Sequence, residues 1–177
     1  MILLRHGQSE FNAHFTQFRV DPGIPDPRLT PTGLEQAVRA ADALAAAGLR
    51  RIVVSPYTRA LQTAAPLAAR LGIPITVTCS VRERFGFACD IGTPRSALCE
   101  AWPEHDFSAI DEVWWPTEPE PEHAVSARAD LFRAEQVARP DWPHTLVVTH
   151  WGFILALTGQ SVPNGAWLRC PGPHAVR

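Results

Sequence analysis

Two arginines and two histidines stand where short apolar runs of this chain end. Arg5 and His6 close the run "MILL", Arg59 follows "RIVVSPYT", and His150 closes "TLVVT". A guanidinium pairs with phosphate oxygens as a two-pronged donor. An imidazole with one neutral nitrogen can attack phosphorus and carry the phosphoryl group. Phosphoryl transfer needs neutralised equatorial oxygens, an in-line nucleophile and a proton for the departing oxygen. Arg5, Arg59 and one histidine meet the first need, and the other histidine meets the second. The third calls for a carboxylic acid, and Glu83 in "SVRERFG" is the best placed. Each residue alone has a plainer reading. The Arg5-His6 pair reads as a surface turn, Arg59 as a solvated helix residue, Glu83 as a partner of Arg82 or Arg84, and His150 as a satisfied core histidine. Their joint placement at strand ends favours the chemistry. Two histidines and a carboxylate are also a metal-ligand set, but neighbouring guanidiniums repel a divalent cation.

These side chains meet only if the runs are strands of one sheet. "MILL", Arg51 to Ser55, Pro74 to Thr78 and Thr145 to His150 are rich in Val, Ile and Leu with little alternation. That pattern suits strands covered on both faces, as in a parallel sheet. Helices fall between them. Thr32 to Glu35 has capping-box spacing, and Thr30-Pro31 is a competing start. Leu34, Val38, Ala41, Leu44 and Ala45 make one apolar face before a stop at Gly48. A second helix begins near Pro56 and turns Ala60, Leu61, Ala64, Leu67, Ala68 and Leu71 inward before Gly72. A third covers Glu122 to Ala138 with Val125, Ala129 and Phe132 inward. This alternation predicts a three-layer α/β/α fold with a mostly parallel central sheet. Ligands of such folds bind outside the carboxyl ends of the strands.

Residues 84–121 break the rhythm, with Trp102, Trp114, Trp115 and the run "PTEPEPE". They read as an irregular insertion in a single domain over 1–177, with Trp114 and Trp115 as packing residues. The length of 177 residues suits one domain with a full core. A net charge of −2 supplies no field to attract nucleic acid or acidic lipid, so neither partner is expected. All 16 Lys+Arg positions are Arg, which excludes lysine Schiff-base chemistry. No stretch approaches the roughly 18 apolar residues of a membrane span, and "MILL" is too short for a signal-peptide core. Cys79, Cys89, Cys99 and Cys170 have no CxxC spacing and read as buried, reduced thiols, which points to the cytoplasm.

At these residues the chain resembles the histidine phosphatase superfamily, of phosphoglycerate-mutase-like fold. Arg5-His6-Gly7 matches its RHG signature, extended by Gln8, Ser9 and Asn12 in "RHGQSEFN". "DPRLTPTGLEQA" is similar to the segment leading into the family's first long helix. "VVSPYTRALQTA" matches the segment of the second phosphate-binding arginine, here Arg59. "VRERFG" matches that of the acid/base glutamate, here Glu83, and "VVTH" that of the second core histidine, here His150. The resemblance runs from Ile2 to about Leu168.

It implies a phosphohistidine mechanism that requires no metal and no organic cofactor. His6 would attack phosphorus while Arg5, Arg59 and His150 hold the phosphoryl oxygens. Glu83 would protonate the leaving alkoxide and then deprotonate water. Asn12 corresponds to a residue near the phosphate, and Ser9 is a further candidate. Trp151 stands where many relatives carry glycine and is expected to shape the pocket. The 84–121 stretch lacks the basic residues expected to grip a phosphoglycerate carboxylate. That favours a phosphatase of small phosphorylated substrates, able to bind inorganic phosphate, over a mutase. Arg95 in "DIGTPRS" is the candidate contact for an acidic substrate, against a plainer reading as an exposed charge. The alternatives are a phosphoglycerate-type mutase, a protein-phosphohistidine phosphatase and a catalytically idle phospho-ligand binding module. An unperturbed glutamate titrates at about 4.3, so Glu83 as proton donor predicts an acidic optimum unless its surroundings raise that value.

Overall fold

Alternate side chains on a strand point to opposite faces, and here that alternation divides the apolar residues between two cores. The computed structural model describes residues 1–170. Ile2, Leu4, Ile52, Val54, Leu146 and Val148 enter one core, and Leu3, Val53 and Val147 between them enter the other. The strands are β1 (Ile2–Arg5), β2 (Arg51–Val54), β3 (Ile75–Val77), β4 (Thr145–Thr149) and β5 (Trp167–Arg169). They form one sheet in the order β3-β2-β4-β1-β5. The first four are parallel, and β5 runs antiparallel to β1 at the edge.

The helices are α1 (Glu10–Phe18), α2 (Pro31–Leu44), α3 (Thr58–Leu71), α4 (Arg95–Ala101), α5 (Glu122–Val137) and α6 (Trp151–Thr158). α2 and α3 cover the first face through Ala40, Ala41, Leu44, Ala60, Leu61, Ala64 and Leu67. α5 and α6 cover the second through Ala129, Phe132, Phe153, Ile154 and Leu157. The result is a three-layer arrangement. Among the described residues no helix is long and apolar enough to cross a membrane.

Several expectations are corrected. The start of α2 is set by Thr30, whose hydroxyl accepts from the Gly33 N–H at 3.1 Å, with Pro31 as the first helical residue. Its buried face is Gly33, Ala37, Ala40, Ala41 and Leu44, while Leu34 and Val38 are 48% and 50% exposed. The cause is a close approach: a Cβ on Gly33 would lie 2.1 Å from the Gln8 carbonyl oxygen. Small residues must occupy that contact, so the larger ones turn outward. Residues 84–121 are less irregular than their composition suggests. They contain α4 and a 3-10 turn (Ala88–Asp90), and bury Leu98, Phe107, Ile110 and Trp114 in the first core. Trp114 packs there and donates its indole N–H to the Thr93 carbonyl at 2.8 Å. Cys89 and Cys170 are buried, but Cys79 is half-buried and Cys99 exposed.

Candidate active site

Because β1, β2 and β4 pair in parallel register, with Arg5 opposite Thr149 and Val54 opposite Val148, their carboxyl ends deliver the next residues to one sheet edge. His6 succeeds β1 and His150 succeeds β4. Their rings lie 5.1 Å apart, and both are buried. The Nδ1 of His6 is 2.6 Å from the Gly7 carbonyl oxygen. A carbonyl only accepts, so Nδ1 carries the hydrogen and Nε2 keeps its lone pair. His150 Nε2 is 2.7 Å from Ser55 Oγ, and its buried Nδ1 has no hydrogen-bond partner among the described residues. Burial, then Arg59 and Arg5, hold His6 well below the ordinary histidine range. Burial, Arg59, His6 and Arg5 do the same to His150. Both rings are therefore neutral near neutral pH.

The two arginines are fixed by backbone oxygens. Arg5 Nη1 donates to the Val162 carbonyl at 2.8 Å. Arg59 sits in the first turn of α3, 2% exposed. Its Nη1 donates to the Cys89 carbonyl at 2.7 Å, its Nη2 lies 3.3 Å from Asp90 Oδ1, and its guanidinium stacks 4.2 Å from the Tyr57 ring centroid. The Gly7 N–H donates to Thr63 Oγ1 at 3.0 Å, and that hydroxyl donates to the Arg59 carbonyl at 2.7 Å. A Cβ on Gly7 would lie 2.4 Å from the Gly33 carbonyl oxygen. The Arg5-His6-Gly7 turn is thus clamped between α2 and α3.

Glu83 comes from the segment after β3, which is anchored before the carboxylate is reached. Thr149 Oγ1 donates to the Val81 carbonyl at 2.6 Å, and Arg128 Nη1 donates to the carbonyls of Ser80 and Arg82 at 3.0 and 2.9 Å. Arg82 pairs with Glu120 at 3.0 Å, so it is not the partner of Glu83. Glu83 Oε1 instead accepts the backbone N–H groups of Arg84 at 2.8 Å and Gly152 at 2.9 Å. Burial and then the Asp90 carboxylate raise its pKa, opposed by those two N–H bonds and by Arg59.

Arg5, His6, Arg59 and Glu83 line one cavity of about 710 Å³ together with Ser9, Asn12 and Trp151. His150 is not part of its lining and lies against the His6 ring. Ser9 caps α1, and its hydroxyl is engaged with Asn12, donating to Oδ1 at 3.0 Å and accepting from the backbone N–H at 3.3 Å. Ser9 thus lines the cavity and also shapes the turn into α1. Asn12 Oδ1 also accepts from Asn164 Nδ2 at 3.0 Å, which leaves the Asn12 amide NH2 as the end suited to an anion. Trp151 is 42% exposed, and its indole N–H donates to Ser161 Oγ at 2.9 Å. Arg95 is a correction. It opens α4, outside the cavity lining, and its Nε is 3.6 Å from Glu112 Oε2, so folding of the 84–121 stretch gives it a partner elsewhere. Among the described residues no three His, Cys, Asp or Glu side chains gather in a metal-holding group, and the positive charge of the site comes from guanidiniums.

The sequence model of the histidine phosphatase superfamily (branch 1) matches residues 1–173. The chain belongs to this superfamily. Glucosyl-3-phosphoglycerate phosphatase of Mycolicibacterium vanbaalenii is 32% identical over 184 residues, covering 94% of this chain and 76% of the relative. The enzyme of that name from Mycobacterium tuberculosis is 32% identical over 185 residues, covering 94% and 78%. The solved native structure of mycobacterial glucosyl-3-phosphoglycerate phosphatase superposes with a TM-score of 0.66 at 28% identity, covering 94% of this chain and 87% of that one. The complex of that phosphatase with inorganic phosphate gives 0.65 at 27%, covering 94% and 86%. Among similar sequences, phosphatases thus match more of this chain than the 2,3-bisphosphoglycerate-dependent phosphoglycerate mutase of Leifsonia xyli. That mutase is 32% identical over 152 residues, covering 76% of this chain and 59% of its own. Phosphomonoester hydrolysis by a histidine phosphatase is the supported activity, and the mutase is less favoured.

Sequence reasoning missed several residues of this histidine phosphatase's cavity. Asn164 Nδ2 lies 3.2 and 3.3 Å from the carbonyls of His6 and Gly7, but it precedes a strand of three residues that carries no sequence signature. Asp90, the partner of Arg59, sits in a 3-10 turn inside the stretch read as irregular. Gly152 had a signal: a glycine directly succeeds His150-Trp151 at the start of α6.

Proposed function

We propose that this protein hydrolyses small phosphomonoesters through a phosphoryl group carried on His6. The observation that carries the proposal is the bond from His6 Nδ1 to the Gly7 carbonyl at 2.6 Å, which leaves Nε2 as the lone-pair nitrogen of a ring lining the cavity. Nε2 attacks phosphorus in line; the P–N bond forms as the P–O ester bond breaks, and the leaving oxygen takes the proton of Glu83. Water then attacks phosphorus, Glu83 takes its proton, and the P–N electron pair returns to Nε2, releasing inorganic phosphate. Arg5 and Arg59 neutralise the equatorial oxygens throughout. Asn12 lines the same cavity, and the neutral His150 ring, held by Ser55, packs 5.1 Å from the His6 ring.

The raised pKa of Glu83 supports its role as proton donor, because burial favours the protonated acid. A binder of phosphorylated ligands needs neither a fixed nucleophile nor a carboxyl of raised pKa in the same cavity. A cytoplasmic location and a single domain over 1–177 complete the proposal. The four unbridged cysteines support the first, and the burial of residues from 84–121 in the sheet core supports the second.

The test is turnover of an aryl phosphate in the presence of EDTA by the wild type and by His6→Ala, with an alkaline quench to keep the acid-labile phosphohistidine. The expected result is chelator-resistant hydrolysis, loss of it in the variant, and a phosphoryl group on the peptide containing His6. Retained turnover in His6→Ala, or a phosphoryl group on another residue, overturns the proposal.

A further inference from the structure

The catalytic side chains occupy only part of the cavity. The rest of its lining is aromatic to a degree that a phosphate site does not require. Phe11 and Phe15 come from successive turns of α1 and stack at 5.1 Å. Phe87, from the segment after Glu83, lies 5.4 Å from each of them, tilted on Phe11 and edge-on to Phe15. Phe85 and Trp151 are the other Phe and Trp residues of the lining. Two of these rings are open to solvent: Phe87 is 45% exposed and Trp151 42%. The indole N–H of Trp151 is tied to Ser161 Oγ at 2.9 Å, which fixes the plane of its ring. Exposed aromatic surface gathered in a concave site, rather than scattered singly, marks a place where an apolar ligand surface is buried.

Two further arginines, both solvent-exposed, share this cavity. Arg19 at the end of α1 lies over the Phe15 ring, 5.9 Å from its centroid. Arg84 Nε donates to the Glu120 carbonyl at 2.9 Å. A carboxylate on the leaving group would have to reach one of these two guanidiniums, and wherever it met the phenyl rings it would bear the cost of leaving water. A flat apolar group would instead cover rings that are otherwise wet.

We infer that the leaving alcohol of the physiological ester is aryl or arylalkyl, received by Phe11, Phe15, Phe85, Phe87 and Trp151. This inference rests on the hydrolase reading and specifies its substrate class.

The test compares esters of matched chemical reactivity. 2-Phenylethyl phosphate, propyl phosphate and 3-phosphoglycerate are offered to the wild type, Phe87→Ala, Trp151→Ala, Arg19→Ala and Arg84→Ala, and kcat/KM is read for each. The first two esters leave as primary alkoxides, so their ratio reports recognition of the ring. The wild type is expected to prefer phenylethyl over propyl phosphate by about tenfold or more, the worth of one buried aromatic group. Phe87→Ala and Trp151→Ala, which remove exposed side chains and leave no core cavity, are each expected to reduce that ratio severalfold. Equal kcat/KM for the two esters overturns the inference. So does a wild-type preference for 3-phosphoglycerate that is lost in Arg19→Ala or Arg84→Ala. In both outcomes His6-dependent hydrolysis survives and only the substrate class falls. A wild type inert toward all three esters and toward aryl phosphates overturns the hydrolase reading, and this inference with it.

Discussion

Arg59 Nη2 lies 3.3 Å from Asp90 Oδ1, with both side chains closed off from solvent. The other oxygen, Oδ2, accepts the N–H groups of Gly86 and Phe87 at 3.0 and 3.1 Å. One carboxylate therefore fixes both a guanidinium of the cavity lining and the loop that presents Phe87. Asp90→Asn preserves volume but replaces one acceptor with a donor, which must face either Arg59 or those N–H groups. Removing one partner of a buried pair costs about 3 kcal/mol or more. Denaturant unfolding of Asp90→Asn should show a loss of that order, and inorganic phosphate should inhibit the folded variant at least tenfold more weakly. An unchanged inhibition constant would show that Asp90 does not orient Arg59.

Glu83 is the proton donor in this scheme, and a general acid matters in proportion to the basicity of the leaving oxygen. Glu83→Gln keeps the shape of the side chain without the transferable proton. Loss of a general acid costs about 10²–10⁴-fold in rate. That range is expected for alkyl phosphates. For a nitrophenyl ester, whose phenolate departs without help, the loss should be far smaller. Steady-state kcat on the two ester types checks this, and an equal loss on both would remove Glu83 from proton transfer.

The pH profile is set by two opposite shifts. Catalysis needs His6 neutral and Glu83 protonated. In unperturbed side chains these conditions conflict, because histidine titrates at about 6.5 and glutamate at about 4.3. Burial, reinforced by Arg59 and Arg5, lowers His6 well below the ordinary range, and burial, reinforced by Asp90, raises Glu83. The productive forms then coexist over a wider window than either free side chain allows. The rate should fall on the acid side as His6 takes up a proton and on the alkaline side as Glu83 loses one. The alkaline limb therefore lies above that expected of an unperturbed glutamate, and the acid limb below that of an unperturbed histidine. A profile of kcat/KM against pH for Glu83→Gln should keep the acid limb and lose the alkaline one.

What the sequence disclosed of this site was what strand ends disclose. Arg5, His6 and His150 succeed apolar runs with a definite carboxyl end, and a parallel sheet brings such ends together without further information. Glu83 was placed by a motif, yet its freedom from Arg82 depends on Glu120, 38 residues away and in a Pro/Glu-rich stretch with no periodicity. Arg95 read the other way: its charge suggested a ligand, and Glu112 had already answered it. On α2 the helix was legible but its face was not. Leu34 and Val38 suggested burial, whereas the contact at Gly33 requires small residues and turns those two toward solvent. Hydrophobic period identifies a helix; backbone approach to a neighbouring loop decides its rotation.

Gly152 offers the sharpest test of how Glu83 is held. Its N–H donates to Glu83 Oε1 at 2.9 Å, and a Cβ in its place would lie 2.5 Å from that oxygen and 3.2 Å from Arg84 Cβ. Alanine at this position displaces the carboxylate, and a misplacement of about 1 Å at a reacting group can cost around 10²-fold. A smaller kcat alone would not separate positioning from general damage to α6. The pH profile does. The Gly152 N–H is one of the groups that lower the Glu83 pKa, so weakening that bond raises it further. Gly152→Ala should therefore lose rate while its alkaline limb moves to higher pH, with unfolding by denaturant showing that the fold persists. A rate loss with an unmoved alkaline limb would mean that Gly152 supports the helix and not the acid.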